Sequence, residues 1–200
     1  MASSTQYFQN LFQTASVQDG FFTARQALSA GYDTNCHTYH VKTGNWTREH
    51  RGIYRLANYP AGDRPDLMLW YLWSRNRKEE PQSVYSYETS LALYELTDVN
   101  PDRLHITVPR GFRRNSRIPG VLVLHSGNVL PEETDCIHGV KVTNPACTIN
   151  DIINDGTLSD DLLRQAISEA VRQGVITKRT LEKYRQKNPV FRTFIDKIKI

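Results

Sequence analysis

The sequence predicts an α+β fold in two parts, on three observations. Apolar residues recur at helical spacing in some segments and alternate with polar ones in others. The stretch Tyr59-Pro-Ala-Gly-Asp-Arg-Pro65 separates two sets of such segments and has the composition of a linker. A chain of 200 residues, 39% of them hydrophobic, is long enough to bury roughly 70% of its unfolded surface, so no disulfide or metal staple is required. The expected parts are residues 1–60 and 66–200. No repeat of fixed period occurs in either, which sets solenoids and propellers aside.

In the first part Tyr7, Phe8, Leu11, Phe12 and Ala15 share a helical face, predicting a helix over 5–16. Gly20 ends the loop after it. Thr23-Ala-Arg-Gln26 is a capping box: the threonine caps a helix running to about Ala30 and the glutamine reaches back. Gly31 makes a turn, Asp33 is placed to cap the next helix, and Gly44 stops it. Two short helices on a glycine turn make a helix-turn-helix. Residues 46–50 and 53–56 read as strands joined at Arg51-Gly52. A hairpin directly after a helix-turn-helix is a winged helix. Its core is expected from Phe8, Leu11, Phe12, Phe22 and Leu28, with Trp46, Ile53 and Tyr54 from the hairpin.

The second part reads as a helix over 66–75, a short strand at 84–85, a helix over 87–96, and strands over 104–108, 121–124 and 137–142. Helices follow over 145–154, 159–173 and 178–186, and the ending FRTFIDKIKI reads as a final strand or helix. The apolar run from Leu67 to Trp73 does not separate helix from strand by its period, and it is far short of the roughly 20 residues a bilayer span needs. No membrane association is expected. The start, MASSTQYFQN, lacks the basic and apolar regions of a secretory signal, so a cytoplasmic location is expected. Cys36, Cys136 and Cys147 are an odd number without paired spacing and are expected to be reduced thiols.

The net charge of +4 and pI near 9.0 admit a polyanionic partner, and the distribution of that charge says more than its size. Residues 175–200 hold eight Lys or Arg against Glu182 and Asp196, which leaves the rest of the chain slightly acidic. Arg110, Arg113, Arg114 and Arg117 form a second cluster with no acid inside it. On the expected recognition helix, 33–43, Thr34, Asn35, Thr38 and Lys42 face outward under either helical phase, whereas His37, Tyr39 and His40 depend on the phase. Short hydrogen-bonding side chains with one cation suit base edges and phosphates. Arg48 and Arg51 in the wing suit flanking backbone or the minor groove. These six are the expected contacts to double-stranded DNA. In the second part Arg113, Arg114, Arg117, Lys183 and Arg185 form a candidate basic surface, with ordinary solvated charge as the competing reading.

No catalytic residue, cofactor or metal is expected. There is no Gly-x-Ser-x-Gly elbow, and His125-Ser126-Gly127 reads as a loop after a strand. Ser86, with Glu88 two residues on, reads as a helix N-cap. Cys36-His37-x-x-His40 puts two imidazoles on one helical face, but neither a downstream pair nor Cys136-x-His138 completes a zinc site. The glycines are scattered singly, without a phosphate loop. A metal nuclease needs carboxylates gathered on a strand, whereas Glu132, Glu133 and Asp135 fall in a turn-like stretch and Lys141 follows Gly139 at two residues' distance. A nucleic-acid hydrolase using Glu133 and Lys141 is therefore an alternative reading. A repressor whose second domain senses a small molecule is another.

The stretch GFFTARQALSAGYDTNCHTYHVKTGNWTREHRGIYRLANYP resembles the N-terminal winged-helix domain of the AbiEi abortive-infection antitoxins of type IV toxin–antitoxin systems. The resemblance continues through SYETSLALYELTDVNPDRLHITVPR and GVKVTNPACTINDII into LLRQAISEAVRQGVITKRTLEKY. It implies a non-enzymatic protein with two roles. The first domain would bind inverted-repeat operator DNA as a pair of protomers and repress its own operon, and the second would be the antitoxin domain. The implied functional partner is a nucleotidyltransferase-like toxin, countered without a stable complex. Family members often carry leucines where this recognition helix has His37 and His40.

Overall fold

The computed structural model describes residues 3–198, and their contacts form two compact units. The first comprises residues up to 82 with 138–140, the second residues 83–137 and 141 onward. Among the described residues no helix is long and apolar enough to cross a membrane. Mixed helices and two sheets make the α+β class.

The first unit opens with α1 (Ser4–Ser16), β1 (Phe21–Thr23), α2 (Ala24–Ser29) and α3 (Thr34–Lys42), followed by β2 (Trp46–His50), β3 (Ile53–Leu56) and α4 (Pro65–Trp73). The capping box is present: Thr23 Oγ1 accepts from Gln26 N at 3.1 Å, and Thr23 N donates to Gln26 Oε1 at 2.8 Å. The strands pair antiparallel in the order β1-β3-β2, with Gly52 at φ +70° in the β2–β3 turn. Leu11, Ala15, Phe22, Ala27, Ala30, Trp46, Tyr54 and Leu56 form one buried cluster.

Three expected core residues are not buried: Phe8, Phe12 and Leu28 are 50%, 44% and 45% exposed. Leu11 and Ala15 form one i, i+4 row that meets the sheet. Phe8 and Phe12 form the adjacent row: their ring centroids lie 5.9 Å apart, and Phe12 packs on Tyr59 at 6.2 Å. Periodicity marked a stripe wider than the surface available to cover it. The six-residue α2 buries only Ala27.

The contacts divide the chain later than its prolines do. The helix α4 packs across β1, β2 and β3, and buries Leu67, Met68, Leu72 and Trp73. The loop after it is tied to the same sheet. Arg75 donates to the carbonyl of Gly52 in the hairpin turn at 3.2 Å and to Glu79, and Glu79 Oε2 accepts from the Thr23 hydroxyl at 2.6 Å.

The second unit contains β4 (Val84–Tyr85), α5 (Tyr87–Leu93), β5 (Leu104–Val108), β6 (Leu122–Ser126), a 3-10 turn at Pro131–Glu133, β7 (Thr134–Ile137) and β8 (Val140–Thr143). The strand order is β6-β5-β4-β8-β7, with β5–β6 and β4–β8 parallel and β4–β5 antiparallel. The single strand expected over 137–142 is two strands. His138 and Gly139 both have positive φ, +49° and +75°, as a two-residue hairpin turn requires, and this breaks the extended run. Helices α6 (Pro145–Asp155), α7 (Asp160–Arg172), α8 (Lys178–Lys187) and α9 (Pro189–Ile198) complete the unit. Their apolar faces gather Ile149, Ile152, Leu163, Ile167, Leu181 and Phe191 with Leu91 and Leu96. The basic ending is thus a helix that buries Phe191, Phe194, Ile195 and Ile198, while Lys199 and Ile200 lie outside the described residues.

Ser86 precedes α5 without capping it. Its hydroxyl is buried and accepts from Thr107 Oγ1 at 2.8 Å, because β5 runs directly beneath. A hydroxyl network joins α5, β8 and α6: Ser90 Oγ donates to Thr143 O at 2.9 Å and meets Thr148 Oγ1 at 2.8 Å.

Candidate nucleic-acid interface

Asp33 starts α3 by accepting from Asn35 N at 2.8 Å, and Gly44 at φ +74° ends the turn after it. The phase of this helix is set by His37, which is buried at 5% exposure between the rings of Trp46 and Tyr54, each 5.5 Å away. His37 Nε2 makes no hydrogen bond. Burial, then the neighbouring His40, holds this imidazole below its usual pKa against an opposing pull from Asp33, so it is neutral at physiological pH. His40 stacks on Trp46 with centroids 4.5 Å apart, and its Nδ1 lies 3.3 Å from Asn45 Nδ2. Burial lowers its pKa as well.

With His37 inward, Thr34, Asn35, Thr38 and Lys42 are all exposed. Thr34, Thr38 and Lys42 stand at i, i+4 and i+8 and so share one row along the helix. Tyr39 is 62% exposed beside them. It is a large contact surface that the sequence left undecided, because only the tertiary packing of His37 fixes the phase. On the hairpin, Arg48 and Arg51 are exposed, and a register shift between Arg48 and His50 bends β2 near its end. The side chains of Lys42, Arg48 and Arg51 make no hydrogen bond or ion pair with any described residue, and Glu49 accepts from Thr47 at 2.7 Å between the two arginines. The structure thus brings the four α3 residues onto one face and the two arginines to one hairpin. Cys36 is partly buried and Cys136 exposed. No three His, Cys, Asp or Glu side chains among the described residues are grouped to hold a metal ion.

The candidate basic surface of the second unit is less uniform than its sequence. Arg113, Arg117 and Lys183 are exposed. Arg185 is engaged by Glu182 and by Asp196 of the next helix, so its charge is matched. Arg114 is half-buried over the Phe112 ring at 5.8 Å. Of the acids weighed for a hydrolase, Glu133 accepts from Leu130 N and Asp135 accepts from the Tyr94 hydroxyl, while Lys141 is exposed on β8. His125 and Ser126 lie within the end of β6 rather than in a loop. There His125 meets His105, a pairing between strands 20 residues apart that no local pattern reveals.

No protein-family model matches the chain, and no curated protein matches it. Among solved structures, the RV2827C protein from Mycobacterium tuberculosis is similar over 81% of this chain and 71% of that one, with 13% identity and a TM-score of 0.48.

Proposed function

We propose that this chain is a DNA-binding repressor whose first unit is a winged helix-turn-helix, and an antitoxin of the type IV, AbiEi kind. The observation that carries the first half is the surface of α3. Its inner side is locked by His37, while Thr34, Thr38 and Lys42 form an outward polar row beside a hairpin with two unmatched arginines. A helix about 10–12 Å across with its side chains fits a major groove about 12 Å wide, and the row lies along its exposed side. Asn35 reads a base edge, Lys42 holds phosphate, and Arg48 and Arg51 reach the flanking backbone or minor groove. Two protomers sit on a two-fold operator.

Mobility-shift titrations on the upstream region of its own operon test this. Preference over random duplex is expected. Lys42→Ala and Arg51→Ala each lower the slope of log affinity against log salt by about one. Asn35→Ala relaxes the preference instead. Equal affinity for operator and random duplex defeats the reading.

The antitoxin half rests on the resemblance in sequence. Co-expression with a nucleotidyltransferase-like toxin from the neighbouring reading frame should restore growth, and persistent arrest at equal protein abundance removes it.

A further inference from the structure

In the second sheet, two histidines on neighbouring strands are held with unequal firmness. The backbone of His105 on β5 is tied to α5: its N–H donates to Thr89 Oγ1 at 2.7 Å, and its carbonyl accepts from Ser86 N at 3.0 Å. His125 stands on β6, the edge strand, which among the described residues pairs with β5 alone. The parallel register sets His105 opposite Val123 and Thr107 opposite His125, so both rings stand on the sheet face that α5 covers. They meet there, with His105 Nδ1 3.1 Å from His125 Nε2. The ring of Tyr87 stacks on His125, centroids 3.6 Å apart and planes 13° apart. Tyr87 holds φ at +52°, a conformation that bulky residues rarely adopt, and such strain persists where its surroundings enforce it.

A ring nitrogen either carries a proton or accepts one, so this contact is a hydrogen bond only while the two facing nitrogens hold one proton between them. Glu88 Oε2 lies 2.8 Å from His105 Nδ1, off the direction of that bond. Burial alone would raise the Glu88 carboxyl, but its contacts with His105 and with its own backbone hold it below its usual range, so it is charged at physiological pH. The carboxylate favours a proton on His105 Nδ1, and His125 Nε2 accepts it. A second proton on His125 would set N–H against N–H. Of the groups around His125, Asp155 at the end of α6 and Glu88 favour its charged form. Tyr87 covers one ring face, and Arg110 and Arg114, on the loop after β5, line a cavity with His125 and offer no acceptor. Burial, then His105, outweighs the two carboxylates and holds His125 below the usual imidazole pKa. The folded chain therefore takes up this proton at lower pH than the unfolded chain. The bond is intact above about 6.5, and its contribution is lost as pH falls from there.

We propose that the His105–His125 pair is a proton-operated latch on the edge strand β6, closed while the two facing nitrogens share one proton and open when each carries its own. On opening, His105 Nδ1–H turns to Glu88, 2.8 Å away, and His125 loses its partner. The strand that loosens is β6, because the backbone of His105 stays tied to α5 and β6 has no second neighbouring strand among the described residues. The latch lies within the second unit and does not depend on the DNA-binding reading.

The test is nuclear magnetic resonance of the full chain from about pH 8 to about pH 5, a range that brackets imidazole titration. Labelling with 15N-histidine reads the ring protons, and amide exchange, expressed as protection relative to an unstructured chain, reads the strands. At the upper end His125 is expected to carry its single proton on Nδ1 and to accept at Nε2. Below about 6.5 it should gain a second proton. The amides of β6 should then lose about tenfold in protection, the loss of one buried hydrogen bond, while those of β4 and β8 keep theirs. His125→Phe keeps a ring against Tyr87 without a titrating nitrogen, and its β6 protection should not change over the range. Glu88→Gln removes the charge that favours the doubly protonated pair, so its latch should open at lower pH than the parent's. If His125→Phe folds poorly, the parent titration and Glu88→Gln still decide. Parent β6 protection that stays flat, that falls together with β4 and β8, or that falls equally in His125→Phe overturns the latch.

Discussion

Replacing Asp151 by asparagine should stabilise the second unit, and only above acidic pH. The carboxyl on α6 is raised from 3.8 to about 6, chiefly by burial, with Glu133 adding to the effect and hydrogen bonds from Cys147 and Asn150 opposing it. Cys147 Sγ donates to its Oδ2 at 3.7 Å. The unfolded chain therefore releases this proton near 3.8 and the folded chain near 6. Between those values the folded state binds more protons, so stability falls as pH rises through the window and stays low above it. A shift of about two units at roughly 1.4 kcal/mol each makes the charged aspartate cost about 3 kcal/mol at neutral pH. Asp151→Asn keeps the shape and the acceptor for Cys147 while removing the charge. Urea unfolding followed by far-UV circular dichroism, which reports largely on helices such as α6–α9, should show a gain of about 2–3 kcal/mol near pH 7.5 and almost none near pH 4. A variant no more stable than the parent near pH 7.5 would refute the burial argument.

Other perturbations test other parts of the fold. Thr23→Ala removes both the α2 cap and the hydroxyl that Glu79 accepts, and should cost about 1–2 kcal/mol. Tryptophan fluorescence reads this change, because Trp46, Trp70 and Trp73 all lie in the first unit. His37 stays neutral when folded but protonates below about 6.5 when unfolded, so its contribution is intact above that pH and is lost as pH falls. His37→Phe should flatten the acid limb of a melting-temperature profile, and an unchanged slope would count against a buried neutral imidazole. A fragment of residues 66–200 leaves the apolar side of α4 uncovered and should aggregate on a sizing column, whereas 83–200 should elute as a compact species. The reverse order would return the boundary to the prolines.

What the sequence made legible was local. The capping box at Thr23–Gln26, the Asp33 cap, the helix stop at Gly44 and the Arg51-Gly52 turn each depend on residues within a few positions of one another, and each stands as read. The outward residues of α3 were legible for the same reason, since Thr34, Thr38 and Lys42 share a row whatever covers the opposite face. The failures come from partners distant in the chain. Whether Phe8 is covered depends on the sheet, whether Ser86 caps depends on Thr107, and whether Arg185 is free depends on Asp196. Likewise His105 and His125 acquire meaning only when β5 and β6 lie side by side. The turn at His138-Gly139 was readable from its glycine, but the flanking β-branched residues disguised two strands as one.

The tie between Arg75, Glu79, Thr23 and the carbonyl of Gly52 gives the first unit a chronology. During synthesis the strands β1, β2 and β3 are all available once Leu56 has left the ribosome, but Arg75 and Glu79, whose side chains fasten the hairpin turn, have not yet emerged. At ~5–20 residues per second the growing chain spends on the order of seconds in that condition. Its turn carbonyl is then bonded to water, and the groove that α4 fills is open. A sheet that pairs at that stage does so without the bonds from Arg75 and Glu79 that hold its hairpin turn in the finished protein.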